Sequence, residues 1–490
     1  MQAGFDELYI DGKFAAAEAG RSYENIDPAT EESLGRAPDA SLADARRAIA
    51  AARRSFDSGV WSEAPLAERA RVMRQILDAI ERHRFEVAEI TVAEVGHPVA
   101  IAELFGNAAL ANAAWIAEQA GRDFGYLAEP IRGEKKVTHR QVLREPVGVV
   151  SAILPFNAPI PVASYKTLSA IACGNSVVMK PSPLTPFSAL WFAKIAAETD
   201  LPPGVLNVVT GSGVEIGVEL CESPGVDMVS FTGSPEVGAA IMASAAKTLK
   251  RVMLELGGKS AQIVLDDAPL EQAAAIAAAS PMALSGQGCS LPTRILVPRA
   301  QQAEFLEVAR AVVESLRVGS PKDRAVQMGP VVSAAQRARV ERYVEIAQRE
   351  GARLLTGGCR PPDLPRGYFY APTLFCGVES GMAIAREEVF GPVGAILAYE
   401  GDDDAVRIAN DSVYGLGGNI LSSNPKRSLA LARRIRTGQV WINTPLTDER
   451  HCLPYPDVPF GGYKQSGIGR EMGIEGYLEY TETKTVAATF

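Results

Sequence analysis

Apolar side chains between residues 40 and 125 recur at the period of an α-helix. The clearest stretch follows a helix-start signal at Ser62 and Pro65, and Arg and Glu fill much of the opposite face. Its apolar face comprises Leu66, Met73, Ile76, Leu77 and Ile80. This spacing is typical of a helix packed on a core, so we predict a mostly helical region without chemistry of its own.

From about residue 145 the pattern changes to short, nearly continuous apolar runs. Such runs are typical of strands that are covered on both faces. The runs are Val147–Leu154, Ser176–Met179, Val205–Val209 and Val226–Phe231, and most precede a helix-compatible segment. Strands that alternate with helices in this way predict βαβ units and a parallel sheet.

A second α/β block is predicted between about residues 257 and 460. Its two clearest helices are marked by apolar side chains at helical spacing: Phe305, Val308, Val312 and Leu316 in one, and Val340, Tyr343, Val344 and Ala347 in the other. Gly351 ends the second helix. Residues 479–490 are rich in Thr, which predicts a final strand.

Composition and charge narrow the classes of function. The 490 residues are 47% apolar and 22% charged, which is typical of a soluble globular protein of several domains. The net charge of -9 argues against a nucleic-acid partner, since phosphate binding needs a concentrated basic face. The first residues lack a basic leader and an apolar segment, and no long apolar run predicts a membrane span. We therefore expect a cytoplasmic protein.

The cysteines and histidines are scattered along the chain. The six Cys and four His residues form no C-x-x-C pair and no zinc-ligand spacing. We therefore expect reduced thiols and no metal.

Three short motifs carry candidate chemistry. Gly286-Gln287-Gly288-Cys289 places a cysteine between small, flexible residues, where its sulfur can reach a bound carbonyl. The alternative is a small buried hydrophobe in a tight turn. Glu255-Leu256-Gly257-Gly258-Lys259 and Pro155-Phe156-Asn157 lie upstream. A nucleophile, a carboxylate base and an amide donor are the parts needed to oxidise a carbonyl through a thioester.

Seven motifs in order resemble those of the aldehyde dehydrogenase superfamily over about residues 20 to 485. Besides the three above, they are Lys180-Pro181-Ser182, Phe231-Thr232-Gly233-Ser234, Glu387-Glu388-Val389-Phe390-Gly391-Pro392 and Pro459-Phe460-Gly461-Gly462-Tyr463-Lys464. The resemblance implies an α/β fold with a Rossmann-like dinucleotide-binding domain (1–125 and 146–256). It also implies an α/β catalytic domain (257–460) and a small β oligomerisation element (126–145 and 461–490).

The resemblance also implies catalytic roles. Cys289 is expected to attack the aldehyde, Asn157 to donate to the resulting oxyanion, and Glu255 to activate the water that hydrolyses the thioester. We expect a nearby base or helix terminus to raise the thiolate fraction of Cys289. The structural alternatives are a turn residue for Asn157 and a surface carboxylate for Glu255.

A dinucleotide site is implied at other positions. Its candidate residues are Lys180, Ser182, Gly213, Phe231, Gly233, Ser234, Glu388 and Phe390. Ser234 lies at a predicted helix start, where free N–H groups favour phosphate; the alternative role is an ordinary N-cap, and the two are compatible. The glycines around Gly213 are equally explained as turn residues. Glu388 and Phe390 have the alternative of a helix-end carboxylate and a core aromatic.

Two positions depart from the family pattern. Pro183 replaces a glutamate that commonly binds the adenosine ribose, which removes the usual argument for NAD over NADP. We favour NAD because no extra arginine adjoins Lys180, and NADP remains the alternative. Phe156 replaces a common tryptophan and keeps an aromatic wall.

The substrate is predicted to be an aldehyde of medium size. Apolar residues after Phe156, including Ile160 and Val162, favour an uncharged aliphatic or aromatic compound. Arg450 offers a site for a substrate carboxylate, with an exposed ion-paired arginine as the alternative.

Other functions stay open at this stage. A coenzyme A-acylating relative is one, although Glu255 argues against it; a catalytically silent scaffold and a thioesterase-like hydrolase are others. The segments Lys135–Arg144 and Thr481–Ala488 resemble intersubunit elements, which predicts a homodimer or homotetramer.

Overall fold

The strands of the computed structural model, which describes residues 5–444 and 455–490, form four sheets. The strands in chain order are β1 (Leu8–Ile10), β2 (Lys13–Ala15), β3 (Ser22–Ile26), β4 (Ser33–Pro38), β5 (Tyr126–Arg132), β6 (Val137–Pro146), β7 (Val149–Ile153), β8 (Ser176–Lys180), β9 (Leu206–Val208), β10 (Met228–Thr232), β11 (Arg251–Glu255), β12 (Ala261–Val264), β13 (Arg294–Pro298), β14 (Arg353–Thr356), β15 (Thr373–Cys376), β16 (Val393–Tyr399), β17 (Gly418–Leu421), β18 (Trp441–Ile442), β19 (Gly467–Ile468) and β20 (Thr481–Thr489).

Helices cover the faces of the two large sheets. In chain order they are α1 (Leu42–Asp57), α2 (Leu66–Glu94), α3 (Val99–Gln119), α4 (Pro159–Ala172), α5 (Pro186–Ala197), α6 (Glu215–Glu222), α7 (Pro235–Ala245), α8 (Leu270–Ala279), α9 (Gln302–Ser315), α10 (Ala334–Arg349), α11 (Ala383–Arg386), α12 (Gly401–Asn410), α13 (Pro425–Ala432) and α14 (Gly473–Leu478). The predicted helices in the first 125 residues and at α9 and α10 are confirmed.

The first sheet has the strand order β19-β11-β10-β7-β8-β9-β1-β2. Its five central strands, β7 to β11, are parallel, and the outer strands are antiparallel. The four apolar runs predicted as buried strands are β7, β8, β9 and β10, which confirms them. The chain adds β8 and β9 on one side of β7 and then β10 and β11 on the other. Where the direction of strand addition reverses in this way, a ligand crevice is expected outside the carboxyl ends of the strands.

Alternating side chains of these strands enter two different cores. Val149 and Val229 pack with α1, α6 and α7 on one face. Val150 and Met228 pack with α2 to α5 on the other. Because successive strand residues point to opposite faces, a strand that is covered on both sides must be apolar throughout.

The second sheet has the order β14-β15-β16-β13-β12-β17-β18 and is parallel except for β14. Helices α8 and α9 cover one face, and α10, α12 and α13 cover the other. Residues 256–260 connect β11 of the first sheet to β12 of the second. This short linker therefore joins the two sheets beside the predicted base Glu255.

The third sheet consists of β20, β6 and β5. Strand β20 pairs with β6 from Thr481 opposite Pro146 to Thr489 opposite Thr138. Within the predicted oligomerisation segment 461–490, β19 forms the edge of the first sheet and Tyr477 of α14 lies in the core of that sheet. Within 461–490, only the last ten residues or so extend the small sheet. The local sequence does not indicate that a short apolar segment such as α14 packs on a core formed by residues far away in the chain.

Helix α3 is long and apolar enough to cross a membrane by length and composition, with a mean hydropathy of 1.4 over an 18-residue window. In the fold it packs between α2 and α4 and contributes Phe105, Ala109 and Ile116 to the core. The Asn112 side-chain amide donates to Ser164 Oγ at 2.9 Å. The helix is therefore a core element of this fold.

Candidate active site

A cavity of about 410 Å³ lies between the carboxyl ends of the first sheet and the segments that lead into β13 and β16. It is lined by Ile153, Leu154, Pro155, Phe156, Asn157, Lys180, Pro181, Ser182, Pro183, Phe231, Thr232, Gly233, Ser234, Val237, Glu255, Leu256, Gly257, Cys289, Gln336, Arg339, Glu388 and Phe390. All three predicted catalytic residues are included. So are all the predicted dinucleotide-site residues except Gly213.

The loop before Cys289 is held in an unusual conformation. A 3₁₀ turn over Ser280–Gly286 includes Leu284 and Ser285 at φ 54° and Gly286 at φ 73°. A Cβ atom at Gly286 would overlap the carbonyl group of Gly391. Only glycine lets the nucleophile loop approach the loop of Glu388 so closely.

The linker from Glu255 passes directly behind the nucleophile. A Cβ atom at Gly258 would overlap the backbone oxygen of Cys289. This close approach explains the glycine in the Glu255–Lys259 motif and brings base and nucleophile to one cavity.

Asn157 follows the carboxyl end of β7 and is 7% exposed. Its side-chain amide donates to the backbone oxygen of Gln287 at 2.7 Å, two residues before the nucleophile. Its own backbone oxygen accepts from Nε2 of the buried His97 at 2.8 Å. The predicted oxyanion donor is therefore bonded to the nucleophile loop.

The surroundings of Cys289 disfavour the thiolate. Burial and the negative charges of Glu388 and Glu255 raise the pKa of its thiol to about 12, and backbone N–H groups of Cys289 and Ser290 oppose this shift only in part. A carboxylate disfavours a second negative charge beside it. That a base or a helix terminus enlarges the thiolate fraction stays a prediction.

Glu255 ends β11 and is 3% exposed. Neither carboxylate oxygen has a hydrogen-bond partner among the described residues. Burial, followed by the charge of Glu471, raises its pKa well above the ordinary range, while Lys166 and Arg470 act in the opposite direction. A strongly perturbed carboxyl group in a cleft is typical of a functional base.

A buried ion pair behind Glu255 was not predicted from the sequence. Lys166 of α4 bonds Glu471, and its Nζ also donates to Ser230 Oγ at 3.0 Å. Both side chains are about 1% exposed or less. The one available signal was a lysine in an otherwise apolar helix, since a buried lysine is almost always paired.

Two groups fit the phosphate and ribose end of a dinucleotide. Lys180 ends β8, is 6% exposed, and its Nζ donates to the backbone oxygen of Pro181 at 3.2 Å. Ser234 is the N-cap of α7, because its Oγ accepts from the Val237 N–H at 3.3 Å. The remaining free N–H groups and the dipole of α7 favour an anion there.

Glu388 and Phe390 also line the cavity. Glu388 Oε1 accepts from the Gly258 N–H at 2.9 Å, and burial raises its pKa to about 7. The Phe390 ring meets Phe156 edge-on, with centroids 5.7 Å apart. The aromatic wall predicted for Phe156 is therefore confirmed.

Two residues of α10 hold this loop and were not predicted. Gln336 Nε2 donates to the Phe390 backbone oxygen at 2.7 Å, and Arg339 donates to that of Glu388 at 2.6 Å. The polar face of an amphipathic helix gives no sign of which side chains reach a loop.

Several other candidates lie elsewhere. Gly213 precedes α6 and does not line the cavity, and a Cβ there would meet the Glu215 carboxylate. Ile160 and Val162 are buried in the core of the first sheet and not at a cavity entrance. Arg450 lies outside the described residues. Residues 5–444 and 455–490 contain no cluster of three His, Cys, Asp or Glu side chains suited to a metal.

Comparison with known proteins agrees with this arrangement. The model of the aldehyde dehydrogenase family matches residues 14–486. Betaine aldehyde dehydrogenase of Bacillus subtilis is 39% identical, over 98% of this chain and 96% of that protein. The 3-succinoylsemialdehyde-pyridine dehydrogenase of a Pseudomonas species is also 39% identical, over 98% of each chain.

A solved structure shows the same fold. The crystal structure of betaine aldehyde dehydrogenase from Staphylococcus aureus in complex with NAD+ has a TM-score of 0.95, with 35% identity over 99% of this chain and 94% of that one. A family match over nearly the whole chain, together with this structural agreement, places the chain in the aldehyde dehydrogenase family.

Proposed function

We propose that this protein oxidises an aldehyde to a carboxylic acid with Cys289 as nucleophile, Asn157 as oxyanion donor and Glu255 as base for hydrolysis. The reaction class and the NAD cofactor follow from membership of the family. The observation that carries the residue roles is one cavity that brings together a thiol, an unpaired carboxylate and an amide already bonded to the nucleophile loop.

Attack by Cys289 Sγ on the aldehyde carbon creates an oxyanion. The Asn157 amide carries two N–H bonds, and only one is needed for its bond to Gln287. The other, together with the Cys289 backbone N–H, is suited to the developing charge. Each such donor contributes about 3 kcal/mol to transition-state stabilisation.

The side chains that line the cavity are chemically suited to bind a dinucleotide. A buried lysine at the end of β8, the N-terminus of α7 and the aromatic ring of Phe390 all line it. Lys180 would hold the adenosine ribose, the start of α7 at Ser234 the pyrophosphate, and Glu388 the nicotinamide ribose. When bound, NAD+ supplies the hydride acceptor that oxidation requires.

Hydrolysis frees the acid from the thioester on Cys289. Both oxygens of Glu255 are unpaired among the described residues and are therefore available to orient a water and take its proton. The presence of this base supports water over coenzyme A as the acyl acceptor. It also argues against a catalytically silent scaffold.

We propose an uncharged substrate of medium size. The thiol packs in an apolar cluster with Tyr165, Leu416, Phe460 and Met472. The two relatives named above are equally similar to this chain and have different substrates in their names, so overall identity does not select the aldehyde. The apolar walls around the thiol support the choice.

We also propose a cytoplasmic homodimer or homotetramer. No residue of the third sheet belongs to a core cluster of the described chain, and Leu127 and Ile131 of β5 and the adjoining Phe490 are exposed. A sheet that has free edge strands and exposed apolar residues is suited to pack against another copy of the chain.

The decisive experiment measures NADH and NADPH formation over a panel of aldehydes of graded size and charge. Cys289→Ala is the test variant, and Cys359→Ala, at an exposed cysteine, is its matched control. We expect turnover with NAD and no added coenzyme A, lost in the first variant and kept in the second. Turnover in Cys289→Ala would exclude Cys289 as nucleophile, and a requirement for coenzyme A would favour the acylating alternative.

A further inference from the structure

We propose that His97 is a positioning residue that holds the oxyanion donor Asn157 in place. This inference rests on the role proposed for Asn157 above. His97 lies between α2 and α3, does not line the cavity and belongs to none of the motifs that indicate the chemistry.

The His97 ring is fixed in the protein interior. The residue is 0% exposed, and its ring meets Phe105 edge-on with centroids 5.4 Å apart. Nε2 lies 2.8 Å from the Asn157 backbone oxygen. Since a carbonyl oxygen only accepts, Nε2 carries the hydrogen, and the tautomer is determined by this bond.

The imidazole acts as a neutral donor. Nδ1 is buried without a hydrogen-bond partner in the described part of the chain, so protonation there would bury an unpaired charge. Burial accordingly lowers the pKa of His97 to about 4. The donor therefore keeps one protonation state over the neutral pH range.

The segment that carries Asn157 needs such an anchor. It lies between the end of β7 and the start of α4, with Pro155 and Pro159 on either side. Proline has no N–H to donate, so the segment has few backbone bonds of its own. The two bonds that define Asn157 are the one from His97 and the one to Gln287.

The loop before Cys289 is hydrogen-bonded to residues 329–332, which also contact the turn that carries His97. Gln287 Oε1 accepts from the Val332 N–H at 3.0 Å, and Ser285 Oγ donates to the Gly329 backbone oxygen at 2.9 Å. Gly96, adjacent to His97, lies against Pro330 of that same segment. Residues 329–332 thus contact both the nucleophile loop and the turn of His97. Together these contacts fix the position of the Asn157 side-chain amide relative to the Cys289 sulfur.

The test compares two substitutions of similar size. His97→Gln places an amide N–H about where Nε2 lies, whereas His97→Met fills the space without a donor. We expect His97→Met to lower kcat about 10- to 100-fold, because small misplacement of a catalytic group has effects of that order. We expect His97→Gln to stay within about threefold of the parent, with the KM for NAD nearly unchanged in both.

Two further readouts separate positioning from folding. The far-ultraviolet circular dichroism spectrum and the rate of Cys289 alkylation by iodoacetamide should be similar in both variants, because neither depends on the oxyanion donor. The melting temperature should fall in His97→Met, which leaves the buried Asn157 carbonyl without its donor. Unchanged kcat in His97→Met would overturn the proposal. So would equal losses in the Met and Gln variants, since these would indicate a packing role.

Asn157→Ala and the double variant distinguish this proposal from the proposed function. We expect Asn157→Ala to lose about 10²- to 10³-fold in kcat, and His97→Met to add little to it, because both act through one donor. Full activity in Asn157→Ala would refute the role of Asn157 itself. Additive losses in the double variant would refute only the link from His97 to Asn157.

Discussion

Glu255 combines three properties at the scale of a single residue. Its carboxylate is buried, both of its oxygens are unpaired among the described residues, and its pKa is raised well above the ordinary range. An unpaired buried carboxylate costs folding free energy, and such a cost is typical of sites that need the group for catalysis. The residue is suited to bind one water against the thioester.

Glu255→Gln is expected to lower kcat about 10²- to 10⁴-fold, the range for loss of a general base. Gln keeps the size of the side chain and cannot accept a proton from water. One NADH per active site should still form in a rapid burst, since hydride transfer precedes hydrolysis of the thioester. The measurement is NADH formation during the first turnover after rapid mixing. Absence of a burst would mean that Glu255 acts before the thioester forms.

At the scale of elements, α4 and the segment before α14 place the Lys166–Glu471 pair behind the base. The charge of Glu471 raises the pKa of Glu255, and that of Lys166 lowers it. A base works only when ionised, so activity is lost as the pH falls through the raised pKa. The pH at which activity falls on the acid side therefore depends on the charges of Lys166 and Glu471.

Glu471→Gln is expected to move the acid limb of kcat to lower pH. The change removes a negative charge that disfavours ionisation of Glu255 and leaves the charge of Lys166, which favours it. Stability should also fall by about 3 to 5 kcal/mol, because a buried partner is lost. The measurements are the pH profile and the thermal midpoint. A limb that stays in place or moves upward would contradict the electrostatic coupling.

Helix α6 bears on the choice between NAD and NADP. Pro183 offers no carboxylate beside Lys180, but burial lowers the pKa of Lys180 while the charges of Glu215 and Asp39 oppose that shift. Glu215 is the first residue of α6. Its carboxylate supplies negative charge near the predicted ribose site from another element.

Glu215→Gln is expected to raise kcat/KM for NADP relative to NAD about five- to tenfold, because less negative charge then faces the 2′-phosphate. Glu219→Gln is the matched control, since Glu219 lies on the same helix and is bonded by Arg46. The measurement is the ratio of kcat/KM for the two cofactors. Equal ratios in the two variants would show that Glu215 does not select the cofactor.

At the scale of the whole molecule, the three-stranded sheet contributes no residue to the described cores of the two large sheets. Strands β5 and β20 have mostly exposed side chains, and Leu127 is 77% exposed. A sheet this small is marginal by itself in water. Assembly with another copy would cover it.

Leu127→Asp is expected to lower the assembly mass in solution, because a charge replaces an apolar contact at the proposed interface. Val60→Asp, at an exposed apolar position far along the chain from this sheet, is the control. Light scattering after size-exclusion chromatography measures the mass. An unchanged mass for Leu127→Asp would place the interface elsewhere.

Local sequence patterns determined the elements and the candidate chemistry of this protein. Buried parallel strands must be apolar throughout, so β7 to β10 could be predicted from short apolar runs. Close backbone approach demands glycine, so Gly286 and Gly258 marked the loops beside Cys289. The motifs around Asn157 and Glu255 follow the ends of strands, which in a parallel sheet meet at one edge.

Only the tertiary structure decided which side chains control those groups. Asn157 bonds Gln287 across 130 positions, His97 bonds Asn157 across 60, and Lys166 bonds Glu471 across 305. Periodicity reports the face on which a residue lies and contains nothing about the partner that another element brings to it. The raised pKa of Cys289 has the same origin, because burial and neighbouring charge exist only once the two sheets have met.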